Sequence, residues 1–377
     1  MLRNLLLSSV CALISIRTAA TDRVVSPSGT YNTISSAISA SSDGDRILVA
    51  SANYLENILV NKSLTIQPVA EGGRYSVLGS IRLSSAATER VVTISGLRAL
   101  GGVSTIDNGS ARLNIRIVDS YISGAFNVPP SCYVELYRDT IPTSVSLYNG
   151  AVIGNRFTGT YTGSAPLNVV QGTTVTAPLF IIGNSFGQAG GLMTDYLIEV
   201  AFNHEFHVDN NFASVTSSTT SFFRFNGQQQ FGTPTCTINS NTFYRPASAN
   251  LSMIWGNNNQ PSTVEIVNNV SINNTGPLFV WVARTGLVSG NQLAAASWIN
   301  TSTGEPSVGS PLINAGDPDP RYLDLDLTTN DAGCYGGSNS RANFITPMGS
   351  AVVGFMQAPR VVAQGEVVNI SATGFDR

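Results

Sequence analysis

Between residues 150 and 295, apolar and polar positions alternate in short runs. Each run breaks at an asparagine that is followed, two residues on, by an apolar side chain. The pattern recurs six times, as AVIGNRFTG, LFIIGNSFGQ, FHVDNNFASV, CTINSNTFYR, VEIVNNVSIN and GLVSGNQLAA. Aligned on that asparagine, the segments place Asn155, Asn184, Asn210, Asn241, Asn268 and Asn291 in one slot. Phe157, Phe186, Phe212, Phe243, Val270 and Leu293 occupy the apolar slot, and Gly154, Gly183, Asp209, Ser240 and Gly290 are turn formers just ahead of the asparagine. Spacings of 29, 26, 31, 27 and 23 residues mark a structural repeat.

Asparagine tolerates the left-handed backbone region better than most residues with a side chain. A short strand, one such bend and a second strand would set all six asparagines alike. Coils stacked at about 4.8 Å would let their amides bond up and down a ladder while the phenylalanines stack inside. A unit this small cannot bury its own apolar face and must lean on its neighbours. The alternation extends towards the N-terminus through SVLGSIRLSS (76–85), RVVTISGLRAL (90–100), LNIRIVDSYISG (113–124) and CYVELYRDTIPT (132–143), where Asp119 and Asp139 take the ladder slot. About eleven coils result, a rod of about 50 Å. The longer intervals Thr158–Pro178 and Ala213–Pro234 are expected to bulge as loops. Near the start, Ile34, Ala37 and Ile38 share one helical face behind a cap at Asn32 or Thr33, which predicts a short helix plugging the open end.

The opening carries an ordered motif, T-I-x-x-A-I, then G-D-x-I-x-V, then Y-x-E-N-I-x-V-N-K-S-L-T-I. Its residues are Thr33, Ile34, Ala37 and Ile38; Gly44, Asp45, Ile47 and Val49; and Tyr54, Glu56, Asn57, Ile58, Val60, Asn61, Lys62, Leu64, Thr65 and Ile66. This resembles the first coil of right-handed parallel β-helix proteins of the pectate-lyase-like superfamily. The resemblance implies an all-β, single-stranded solenoid over 21–308 with a short N-terminal capping helix. From Gly309 the texture changes to S-P-x-I-N-A-G-D-P, D-x-D and N-D-x-G-x-Y-G-G, carried by Ser310 to Pro318, Asp324, Asp326 and Asn330 to Gly337. Residues 309–345 thereby resemble the bacterial choice-of-anchor Q domain, which implies surface attachment through something further downstream. Alternating residues in 346–377 read as the start of a truncated β-sandwich-like module.

Residues 1–20 pair an early positive charge with an apolar run from Leu5 to Ile16 and small residues at the end, the pattern of a signal peptide cleaved after Ala20. No other stretch is apolar enough to span a membrane, so the mature chain is expected to be secreted, on the cell surface and monomeric. Only 11% of residues are charged, the net charge is −3 and Lys62 is the sole lysine, which excludes a nucleic-acid partner held by charge. Cys132, Cys236 and Cys334 are widely spaced and form no disulfide framework. These features point to a carbohydrate-binding or adhesive scaffold, with extracellular polysaccharide and the cell envelope as partners. A polysaccharide lyase or glycoside hydrolase is the alternative.

Candidate chemistry is sparse. Glu205 and His207 share one face of a strand, with His204 on the other, among Glu199 and Asp209; Arg224 is the candidate cation. The plain alternative is one outward and one packed histidine. Asp317, Asp319, Asp324, Asp326 and Asp331 form an oxygen-rich run that could wrap Ca²⁺ as a cofactor, or serve as a network of turns. Tyr148, Tyr161, Tyr196, Phe222, Phe223 and Trp255 are candidate sugar-stacking rings.

Overall fold

The computed structural model describes residues 20–377 except 108, 162, 171–177, 188–194, 202–204, 227–235, 257–261, 283, 346–350, 359–361, 363 and 377. The signal-like stretch 1–19 therefore lies outside the described residues. Among those described, the coil strands form three parallel sheets of 13, 11 and 10 strands, here sheets I, II and III, and each coil visits them in that order. The chain is a right-handed parallel β-helix of eleven coils, counted on sheet II.

Alternation decides what each strand buries. In sheet I the register runs Ile94, Ile117, Leu136, Val152, Ile181, Val208, Ile238 and Ile266, an unbroken aliphatic column inside the rod. All eight are buried. Sheet II contributes Phe157 stacked on Phe186, with ring centroids 4.7 Å apart and planes 6° off parallel. Sheet III aligns Ile198, Phe223 and Ile254. Two strands of sheet III, Leu167–Val169 and Ser221–Phe225, fall inside the intervals expected to be loops. A three-sided coil needs that third strand, which a repeat unit of two strands and one bend leaves out.

The end plug is present as expected. Helix α1 (Ile34–Ala40) is capped by Thr33, whose hydroxyl accepts from Ser36 N–H, and it buries Ile34, Ala37 and Ile38. Two motif residues complete its ends. The Glu56 carboxylate accepts from Ile34 and Ser35 N–H at 2.7 and 2.9 Å, and Lys62 Nζ donates to the carbonyls of Ile38, Ser39 and Ser41 at 2.6–3.0 Å. A carboxylate at the N-terminus and an ammonium at the C-terminus satisfy orphan backbone groups and oppose the helix dipole. Below α1, the Tyr75 hydroxyl has no partner although the residue is only 2% exposed. It sits among Ile34, Ile58, Ile94 and Leu97. Tyr75→Phe is expected to leave the melting temperature unchanged or raise it, by at most about 1–2 kcal/mol of stability, because an unpaired buried hydroxyl is removed. A clear fall on thermal denaturation would show that the hydroxyl has a partner.

The ladder exists, shifted by one residue in three coils, those of Asp119, Asn210 and Asn268. Its members are Asn155, Asn184, Asn211, Asn241, Asn269 and Asn291. Each of the first five donates its backbone N–H and its Nδ2 to the next Oδ1 at 2.9–3.0 Å. From Asn155 to Asn291, Nδ2 also donates to a carbonyl of the preceding coil, from Leu136 to Ile266, at 2.6–2.9 Å. Asp139 continues the row, and Ser120, not Asp119, precedes it. Asn210 and Asn268, expected in the ladder, occupy the left-handed bend one residue earlier, at φ 56° and 58°, level with Gly154, Gly183, Ser240 and Gly290. In an Asn-Asn doublet either residue suits either slot, so local preference alone does not set the register.

The bend residues have a further role. After the last coil the chain turns back and runs along this corner as a strap. Asp317 N–H donates to Asn268 Oδ1, Cys334 N–H to Thr242 Oγ1, and Asn210 Nδ2 to the carbonyls of Cys334 and Gly336. Phe344 then lies against Gly154 and Gly183, where a Cβ on Gly183 would come within 2.2 Å of the ring. Two apolar clusters outside the rod fasten the strap. One joins Phe212, Val270 and Ile272 to Leu312, Ala332 and Cys334, and the other packs Phe344 on Tyr137, Ile153, Phe180 and Ile182. Residues 309–345 thus include a segment packed on the coils. Beyond it, Ala351–Gln357 pairs antiparallel with Ser371–Asp376.

Candidate functional site

Sheet I turns His207 and Asp209 outward from the strand Phe206–Asp209, because Phe206 and Val208 take the core positions. Register carries the same outward face through Phe180, His207, Thr237 and Glu265 on four successive coils. His207 stacks on Phe180, with centroids 5.1 Å apart and planes 10° off parallel. Its Nε2 lies 3.1 Å from Glu205 Oε1 and its Nδ1 lies 3.0 Å from Thr237 Oγ1. Thr237 in turn donates to Asp209 Oδ1 at 3.1 Å.

The strap overhangs this face. Tyr322 donates its hydroxyl to Glu265 Oε2 at 2.9 Å, and Arg321 spans Glu265 and Asp319 at 3.4 and 3.1 Å. Between the two layers is a cavity of about 340 Å³ whose walls include His207, Asp209, Thr237, Glu265, Tyr322 and Asn330. Burial, reinforced by the bond to Glu265, pushes the Tyr322 phenol well above its ordinary range, so it remains a proton donor at neutral pH. The Arg321 guanidinium holds the Asp319 carboxyl below the usual carboxylate range.

Glu205, His207 and Asp209 therefore meet as the strand pattern suggests, but Arg224 does not join them. It lies on sheet III, on the strand Ser221–Phe225, beside Glu199 at 3.7 Å. His204 is outside the described residues. Thr237, Glu265, Arg321, Tyr322 and Asn330 are absent from the sequence-level candidates. The first two follow His207 at the ladder's own intervals; the other three come from the strap, whose motif gives no sign that it folds back onto the coils.

The five aspartates do not converge as a calcium site. Asp317 accepts from Asp319 N–H, Asp319 from Arg321, Asp326 from Thr328 and Asp331 from Asn314 N–H, while Asp324 accepts from the N–H groups of Asp331 and Gly337. Burial raises the Asp324 and Asp331 carboxyls above their ordinary values. Among the described residues no three His, Cys, Asp or Glu side chains are grouped to hold a metal ion. The bonds of the five aspartates are those of a network of turns, in which donors of the loop itself occupy carboxylate oxygens.

Of the candidate rings, Tyr161, Phe222 and Phe223 are core residues. Tyr196 and Trp255 stay partly exposed on the outer face of sheet III and flank Arg224, whose guanidinium carbon is 4.9 and 5.0 Å from their ring centroids. Cys132, Cys236 and Cys334 are buried and form no disulfide with one another, and burial raises the thiols of Cys132 and Cys236 to about 12 and that of Cys334 to about 11, which suits packing and not nucleophilic chemistry.

No family model matches the chain, and no curated protein matches it. Among solved structures, the crystal structure of pectate lyase Pel9A is similar, with a TM-score of 0.41 and 15% identity over 84% of this chain and 97% of that one. The fold rests on the three sheets themselves. No helix among the described residues is long and apolar enough to cross a membrane.

Proposed function

We propose that the protein is an exported, cell-surface-associated rod that binds carbohydrate on the outer face of sheet III. One observation carries the binding: Tyr196, Arg224 and Trp255 form a partly exposed ring–guanidinium–ring platform beside Glu199. Ring faces offer flat apolar surface to a sugar, the guanidinium offers forked donors, and the carboxylate accepts from hydroxyls. Neighbouring coils repeat the outward positions, since Asn168, Glu199, Arg224 and Trp255 are in register. A polymer lying along the rod would meet one outward side chain of this row at each of four successive coils, an amide, a carboxylate, a guanidinium and an indole in turn. Export and envelope attachment are supported by the signal-like residues 1–20 and by the anchor-like motif of 309–345.

In affinity electrophoresis against a panel of neutral and acidic polysaccharides, at least one should retard the protein. Trp255→Ala should weaken that interaction by about thirtyfold, near 2 kcal/mol, as for a central aromatic anchor. Retardation by none of the panel, or an unchanged Trp255→Ala variant, would refute the platform. Cleavage is the second reading, favoured by the Glu205–His207–Thr237 chain of bonds; new reducing or unsaturated ends in the same incubations would support it over binding alone.

A further inference from the structure

At one corner of the rod, where the chain leaves sheet II for sheet III, the first three coils present leucine to solvent. Leu55, Leu78 and Leu100 are equivalent there: Leu78 N–H donates to the Tyr54 carbonyl, Leu100 N–H to that of Val77 and Ser123 N–H to that of Ala99, each at 3.0 Å. Leu59 lies just past the corner on Ile58–Val60, the end strand of sheet III. Leu55 is 82% exposed, and Leu59, Leu78 and Leu100 are 37–45% exposed. We propose that this ridge seats the N-terminal end of the rod on an anionic lipid surface.

The fold does not call for leucine at this position. Ser123 and Thr158 fill it on later coils with the same N–H bond to the coil before. The turn is closed by glycine: a Cβ on Gly79 would collide with the Glu56 carbonyl oxygen, and one on Gly101 with that of Gly79. Successive coils therefore meet backbone to backbone, and the leucine preceding each glycine is left outside. Set one strand spacing apart, about 4.8 Å, the leucines make a continuous apolar edge of the kind that marks a contact.

Charge selects the occupant. Arg98, outward on sheet II, and Arg82, outward on sheet III, flank the edge, and both are exposed. Among the described residues neither has an ion pair; Arg98 overlies Tyr121, 5.6 Å from the ring centroid. Their outward neighbours in register are Ser76 and Tyr121 on sheet II and Leu59 and Ser104 on sheet III, none of them acidic. Glu56, beside Leu55, is taken up by the N–H groups of Ile34 and Ser35. Leucine side chains can enter the acyl boundary while the guanidinium groups stay among the headgroups, their stems along the apolar surface. A negatively charged leaflet then adds an attraction for each arginine. A second copy fits less well, because a two-fold contact sets the patch against itself and brings the arginines of both copies into one interface.

The test is flotation of the mature chain, from Thr21, with vesicles of phosphatidylcholine alone and of an equal mixture with phosphatidylglycerol. This form keeps every described strand and helix and omits the apolar run of residues 5–16, which would itself enter lipid. The mixed vesicles should bind about tenfold or more tightly than phosphatidylcholine, as two arginines at a charged surface imply. The triple variant Leu55→Ser, Leu78→Ser, Leu100→Ser, which extends the Ser123 pattern, should bind the mixed vesicles about tenfold or more weakly. Arg82→Gln with Arg98→Gln should reduce the mixed vesicles to about the level of phosphatidylcholine alone. A melting curve on each sample confirms folding, and either variant alone suffices if the other fails to fold. No flotation with the mixed vesicles, equal binding to both compositions, or wild-type binding in the folded variants would overturn the proposal. So would a dimer in solution that the leucine variant abolishes, since the ridge would then belong to a second copy. Trp255→Ala should float as the wild type does, because the glycan platform lies towards the other end of sheet III, and the result is independent of polysaccharide binding.

Discussion

Replacing Asn241 by alanine should destabilise the rod by about 4 kcal/mol, far more than an ordinary surface change. Asn241 Oδ1 accepts both the backbone N–H and the Nδ2 of Asn211, while its own Nδ2 donates to the Val208 carbonyl and to Asn269 Oδ1. Truncation leaves several of these groups buried without partners, at about 1–3 kcal/mol for each one that cannot relax. Asn210→Ala is the informative companion. It loses only the clasp to Cys334 and Gly336 and gains the cost of alanine in a left-handed bend, so about 2 kcal/mol is expected. Chemical denaturation of the two variants in parallel decides the point: equal losses, or a larger loss for Asn210→Ala, would remove Asn241 from the spine.

Asp139→Asn should have the opposite sign. Asp139 fills a ladder slot at 0% exposure; Oδ1 accepts from Ser120 N–H, but Oδ2 has no partner. Asparagine would place an N–H there, directed as its neighbours are towards the carbonyl three residues before the preceding ladder member, that of Ile117. Burial, the largest cause, raises the Asp139 carboxyl well above 3.8, so the folded state holds its proton more tightly than the unfolded chain. Its contribution to stability is therefore complete below the unfolded value near 3.8 and declines as pH rises towards the folded one. The asparagine variant has no such loss. Its advantage should be about 2 kcal/mol at pH 7 and should shrink towards about pH 4, as melting temperatures across that range would show. A wild type that is the more stable protein at neutral pH would contradict this account.

Much of the fold is legible in the sequence because the rod is built by repetition. Alternation marks the strands of sheets I and II, and the face formed by Ile34, Ala37 and Ile38 marks the plug. Sheet III is harder to see: its strands Leu167–Val169 and Ser221–Phe225 are short and set in polar surroundings. The site shows most clearly what one residue of register is worth. On the true ladder, Asn211 to Asn241 to Asn269 spans 30 and then 28 residues. The same steps from His207 reach Thr237 and Glu265, the cavity wall. Aligning on Asn210 and Asn268 gives 31 and 27, and the first step from His207 then lands on Ile238, a core residue facing the other way. Arg321, Tyr322 and Asn330 were beyond any such count, since the strap approaches from outside the repeat.

In an open solenoid each coil touches only its neighbours, so coils can peel away one at a time from either end. The strap changes that for the C-terminal coils. Its contacts run backwards from Asn268 through Thr242 and Asn210 to Gly183 and Gly154, tying together coils that share no sheet contact with one another. Fraying at the final coil therefore has to break bonds distributed along the rod, and this stretch behaves as one cooperative unit. The strap is also a length gauge. Adding or removing a single coil between Gly154 and Asn268 would displace every later clasp by one strand spacing, so coil number in this region is constrained by a segment that belongs to none of the coils.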